Sequence, residues 1–153
     1  MLVLHDVTLV DGTRSDVTVE DGTIAAVAAP GAAPPPPGAT VVDLAGHVLL
    51  TAAVEPHAHL DKAFLAERVH NPTGDLLGAI EAMVAARPTL TVEDTVERAE
   101  RAARLMAANG FTAVRTHADT TLDQGLRSVE ALVEVRRRVA DVIDVEVVAR
   151  TGW

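Results

Sequence analysis

Cysteine is absent from the 153-residue chain. That excludes disulfide frameworks, thiolate metal sites and cysteine nucleophiles. Aromatic side chains are almost absent, with two Phe, one Trp and no Tyr. The core therefore has to be assembled from Ala, Val and Leu, which bury less area per residue. Positive charge is scarce: 13 Lys and Arg stand against 22 Asp and Glu, a formal net charge of −9. Phosphate binding wants a basic face, so nucleic acid and anionic membrane are disfavoured as main partners. No apolar run approaches the ~18 residues of a membrane-spanning helix. The start, Met1-Leu2-Val3-Leu4-His5-Asp6, lacks the basic segment and long apolar run of a secretory signal. Gly-x-Ser-x-Gly and glycine-rich phosphate loops are missing too. A soluble, cytoplasmic protein is expected, of about one domain by length.

What is present falls into two halves, 1–50 and 51–153. The first reads as strands. Val3 to Val10 is rich in β-branched and aliphatic residues and ends at Asp11-Gly12. Val17–Val19 and Ile24–Val27 flank Glu20-Asp21-Gly22-Thr23, a hairpin signal because the glycine supplies positive φ. Pro30 to Gly38 holds four successive prolines, which favour an extended surface loop. Val41–Leu44 and Val48–Leu50 are expected as two more short strands. The second half alternates helix and strand. A helix is expected over 75–86, before Arg87-Pro88. Another is capped by Thr91, with Val92, Val96, Ala99, Ala103 and Met106 as its apolar stripe and a charge run, Arg98 included, on its solvated side. Phe111–Thr116 reads as a buried strand. A helix follows over 122–140, with Leu126, Val129, Val133 and Ala140 as its stripe and Arg136–Arg138 suiting the C-terminal dipole. Ile143–Ala149 is a further strand. Such alternation is a parallel α/β pattern.

Chemistry concentrates at two places. In Glu55-Pro56-His57-Ala58-His59-Leu60-Asp61-Lys62, residues two apart share a strand face, so His57, His59 and Asp61 should point the same way. Two neighbouring imidazoles are ready ligands for a divalent transition metal. In Arg115-Thr116-His117-Ala118-Asp119, His117 and Asp119 again share a face. Both clusters sit at the same ends of successive parallel strands, where pockets form in such folds. His5, His47 and His70 are read as packing or surface residues.

These two motifs, behind a β-rich segment, resemble the amidohydrolase superfamily of metal-dependent hydrolases, in its cytosine deaminase-like branch. The resemblance runs from Leu2 to Ala149. It implies a piece of β-sandwich followed by a TIM-like (β/α)8 barrel. It assigns His57 and His59 as metal ligands, and His117, Asp119 and Asp61 to the substrate pocket. It implies zinc or iron as cofactor, and hydrolytic deamination of a cytosine- or triazine-like ring as the reaction. No residue of this chain matches the family's catalytic acid/base.

After Ala149 the resemblance stops: this branch continues Phe-Pro-Gln, whereas the chain reads Arg150-Thr151-Gly152-Trp153. About 100 residues follow the β segment, room for about three βα units at roughly 30 residues each. The expectation is thus an N-terminal fragment, a partial barrel whose later-strand ligands are missing, inactive as it stands. Its open barrel edges are expected to promote self-association. The alternatives are a non-enzymatic remnant, a half completed by a partner, and a metal storage or sensing module.

Overall fold

The computed structural model describes residues 1–151; Gly152 and Trp153, the end of the divergent tail, lie outside them. The chain divides into two compact units, Met1–Thr51 and a second that begins at Ala52.

The first unit is a single four-stranded sheet of β1 (Leu2–Thr8), β2 (Arg14–Glu20), β3 (Thr23–Ala28) and β4 (Thr40–Asp43), in the order β3-β2-β1-β4. β2 pairs antiparallel with β1 and β3, while β4 runs parallel to β1. Asp21 and Gly22 both have positive φ, 48° and 76°. That is the two-residue turn whose twist matches a tight hairpin. Val3, Val7 and Val17 are buried. The strand expected at Val48–Leu50 does not form; it is reduced to one isolated parallel bridge, Thr8 to Val48. The reason is length: β1 ends at Thr8, so Val48 meets the last residue of its partner. His5 is tied locally, its Nδ1 lying 2.8 Å from Asp16 Oδ1.

The second unit is mixed α/β. Its parallel sheet has the order β5-β6-β7, from β5 (Ala53–Ala58), β6 (Phe111–Thr120) and β7 (Asp144–Thr151). Between β5 and β6 come α1 (Leu76–Ala86) and α2 (Val92–Ala108); α3 (Arg127–Arg138) joins β6 to β7. Asp75 caps α1, accepting from Gly78 N, and Thr91 caps α2, accepting from Asp94 N. The core gathers Val96, Ala99 and Ala103 of α2, Val114 and Ala118 of β6, and Leu132 and Val135 of α3. It is built from Ala, Val and Leu, as the scarcity of aromatics requires. No helix among the described residues is long and apolar enough to cross a membrane.

Three further expectations, all in the second unit, fail. The helix expected from 122 starts only at Arg127, because Gly125 takes positive φ and donates back to Thr121 O at 2.7 Å. Its buried stripe is Ala131, Leu132, Val135 and Val139, whereas Leu126 and Val133 are exposed. The buried face is the one that packs against α2 and β6. Arg98, expected on the solvated side of α2, is buried at 8% exposure.

Candidate metal and substrate pocket

The second unit's sheet is two-faced. Along β6, Val114, Thr116 and Ala118 are buried toward the helices, and Arg115, His117 and Asp119 alternate onto the other face. Arg115 pairs there with Glu146 of β7, Nε to Oε2 2.8 Å.

β5 is less regular. Pro56 has no N–H to give to the ladder, and the pairing with β6 shifts register between Glu55 and Ala58. Glu55 Oε1 accepts from the His57 backbone N–H at 2.9 Å. Such an irregularity re-aims side chains at a strand end. The His57 and His59 rings lie with centroids 5.5 Å apart. His117 stacks on His57, centroids 4.3 Å apart and planes 24° from parallel. It lies 5.9 Å from the His59 ring. Three imidazoles thus share one place, drawn from both sequence motifs. Burial, and then the neighbouring charges of His57, His59, Arg115 and Arg150, hold the His117 imidazole below its ordinary pKa.

Asp61 departs from expectation. The strand ends at Ala58, and Asp61 lies in a 3-10 turn, Leu60–Lys62. Strand periodicity therefore does not align it with His57 and His59. It is 6% exposed, and its Oδ2 sits 2.9 Å from Lys62 Nζ. The same ammonium reaches Asp119 Oδ2 at 3.0 Å. Burial raises the Asp119 carboxyl; the hydrogen bond and charge of Lys62, with the nearby His59 and Arg150, outweigh it and hold the group below the usual carboxylate range. Asp61, Lys62 and Asp119 also line a small cavity of about 50 Å³ with Thr91, Gln124 and Ser128. A larger depression of about 740 Å³ lies between α2 and α3, on exposed side chains such as Glu97 and Arg104, and includes none of the histidines.

Can these residues hold a metal? His59 Nδ1 is buried and has no hydrogen-bond partner. An orphaned imidazole nitrogen beside a second imidazole is the donor chemistry of a divalent transition metal. His57 and His59 fit as two ligands. His117 offers its ring face to His57. Among the described residues, no group of three or more His, Asp or Glu side chains is placed to hold a metal ion. The fit is that of part of a site.

Two positions escaped the sequence reading. Thr116, fully buried, accepts from Leu60 N at 3.0 Å and so ties the turn after His59 to β6. The period of two that puts His117 on the open face puts Thr116 inside, and that signal was readable. Arg98 was hidden in a charge run, although Thr91, Thr95, Arg98 and Ala102 recur at helical spacing.

No family model matches the chain. A pterin deaminase from Rhizobium rhizogenes is 31% identical over 89% of this chain and 31% of its own length. The structure of a 5-methylcytosine deaminase from Klebsiella pneumoniae, liganded with 5-fluorocytosine, superposes with a TM-score of 0.84 at 30% identity, over 96% of this chain and 36% of that one. N-isopropylammelide isopropylaminohydrolase from Burkholderia multivorans gives 0.81 at 30% identity, over 97% and 37%. The chain spans about a third of the length of the proteins it matches.

Proposed function

Since the chain belongs to the amidohydrolase superfamily, we propose that it supplies the His-x-His corner of a metal-dependent hydrolase acting on non-peptide carbon–nitrogen bonds, with an amino-heterocycle as substrate. The observation that carries this reading is the convergence of His57 and His59, at the end of β5, with His117 beside them on β6. The relatives' substrates, a pterin, a methylcytosine and an aminotriazine derivative, have in common a nitrogen-rich ring bearing an amino group. Hydrolysis of an exocyclic carbon–nitrogen bond, with loss of ammonia or an alkylamine, is the common denominator, and ring deamination is the form proposed for this chain. In this reading β5 and β6 with the helices that follow them are the first two units of a (β/α)8 barrel, β7 is the strand of the third, and the first unit is part of a β-sandwich.

His57 and His59 would hold the metal, zinc or iron. When bound, it supplies Lewis acidity that makes water a nucleophile near neutral pH. His117 packs flat on His57 and fixes that ring's orientation. Lys62 keeps Asp119 ionised at the pocket's edge, so the carboxylate accepts hydrogen bonds from a substrate's N–H groups. Two protein ligands are one fewer than the three a catalytic zinc keeps. Among the described residues no third ligand stands with them, so the proposal draws further ligands from other polypeptide. A second reading, completion by another chain, is favoured by β7, whose outer edge pairs with no strand among the described residues. The same open edge would promote self-association.

The experiment is ammonia release from cytosine, pterin and aminotriazines. It is run on the chain alone and fused to the remaining two thirds of the Klebsiella deaminase. We expect silence from the chain alone and metal-dependent release from the fusion. Turnover by the chain alone would overturn the need for outside ligands. A folded fusion that is inactive on the whole panel would overturn ring deamination.

A further inference from the structure

After Ala58 the chain leaves the edge of the sheet, and the backbone of residues 59–63 loses its ladder. The Leu60–Lys62 turn closes on itself through Lys62 N to His59 O, 3.0 Å, and Ala63 N to Leu60 O, 3.1 Å. That leaves the carbonyls of Asp61 and Ala63 requiring donors from elsewhere. Both donors come from one atom. Arg98 Nη1 donates to Asp61 O at 2.9 Å and to Ala63 O at 2.8 Å. Nη2 donates to Thr95 Oγ1 at 3.3 Å and Nε to Asp94 Oδ2 at 3.0 Å. A buried guanidinium needs a compensating charge, and Asp94 provides it, itself gripped by Arg68 at 2.5 Å. Four acceptors in a fixed fork are a task for arginine; the lysine ammonium is a single point on a flexible stem. On the other side, Leu60 N is anchored on Thr116 Oγ1. His59 therefore sits at the mouth of a turn clamped between α2 and β6, and Lys62 projects from the same turn.

We propose that Arg98 is a positioning residue for the pocket: by clamping the Asp61 and Ala63 carbonyls it sets where His59 and Lys62 stand, without touching metal or substrate. The proposal rests on the metal reading of His57 and His59 for its functional half and on hydrogen-bond geometry alone for its structural half.

The test uses the 153-residue chain with cobalt(II) as the metal probe, followed by visible absorption, and backbone amide exchange by NMR. Arg98→Lys keeps the charge and loses the fork. It should weaken cobalt binding about tenfold, the usual scale for losing a group that orients a metal ligand. It should also speed exchange of the Leu60, Lys62 and Ala63 amides, leaving those of β7 unchanged. Arg104→Gln, an exposed position on the same helix, should alter neither. If Arg98→Lys does not fold, Asp94→Asn, which frees the guanidinium, is read the same way. A folded variant with wild-type cobalt affinity and wild-type exchange at 60–63 overturns the proposal. If exchange speeds up while affinity holds, the clamp is purely structural and the positioning role is wrong. Should the wild-type chain bind no cobalt, the metal reading fails, and exchange at 60–63 alone decides whether Arg98 clamps the turn.

Discussion

The two polar clusters have the same written form, a pair of chemistry-bearing side chains around one alanine, but very different support. His117-Ala118-Asp119 lies inside β6, paired with β5 on one side and β7 on the other. Thr116 and Ala118 are fully buried beneath it. His57-Ala58-His59 straddles the end of β5, which pairs only with β6 among the described residues. A central strand fixes its side chains through its own ladders. The end of an edge strand has to be fixed from outside, and here Thr116 and Arg98 do so. Pattern alone marks both clusters, while the means of support differ.

The largest stability effect should come from the floor that both clusters share. Leu132 is completely buried in the core under β6. Leu132→Ala should cost about 2–5 kcal/mol in denaturant unfolding. A cost below 1 kcal/mol would mean that the helices do not form the floor. Thr116→Val is next. It keeps the shape but strands the buried Leu60 N–H, at about 1–3 kcal/mol. Its sharper signature is location: amide exchange should rise around residues 59–63 and stay unchanged around 117–119. Equal loosening of both clusters would erase the contrast drawn between them.

Lys62→Met should act on charge. Without the ammonium, burial at Asp119 is opposed only by the nearby His59 and Arg150, so its carboxyl titration should move up. Carbon-13 NMR of the carboxyl carbon reads this directly; an unmoved titration would show that Lys62 does not hold it. The smallest effect belongs to the outer face of α3, remote from either cluster. Arg137 and Arg138 draw the Glu134 carboxyl from 4.5 down to about 2. A folded pKa below the unfolded one gives stability that is present above about pH 4.5 and lost as pH falls through about 2. Glu134→Gln should slightly flatten that acid limb of the stability curve, with little change at neutral pH, since exposed pairs contribute little.

How much of this was legible in the sequence depended on whether the signal was local. The Asp21-Gly22 hairpin, the cap Thr91, and the stripe through Val96, Ala99 and Ala103 are set by neighbours a few residues away, and they could be read. The Val48–Leu50 strand failed because its existence depends on where a partner strand ends, a non-local fact. The stripe of α3 failed because two apolar rows run along that helix, and packing against α2 and β6, a non-local fact, selects the row through Leu132 and Val135. At the pocket, the period of two brought out His57, His59, His117 and Asp119. It misplaced Asp61, since the strand stops at Ala58 and a 3-10 turn follows. Arg98 was hidden by its type: a charged residue in a charge run reads as solvated unless the carbonyls it serves, 35 and 37 positions away, are known.

On the proposed reading, the edge cluster and not the central one holds the metal. Calorimetric titration of zinc into the chain and its three histidine variants tests it most directly. One weak site per chain is expected, abolished in His57→Ala and in His59→Ala and retained, at most severalfold weaker, in His117→Ala. Tight stoichiometric zinc that survives His57→Ala, or a site lost only in His117→Ala, would contradict it.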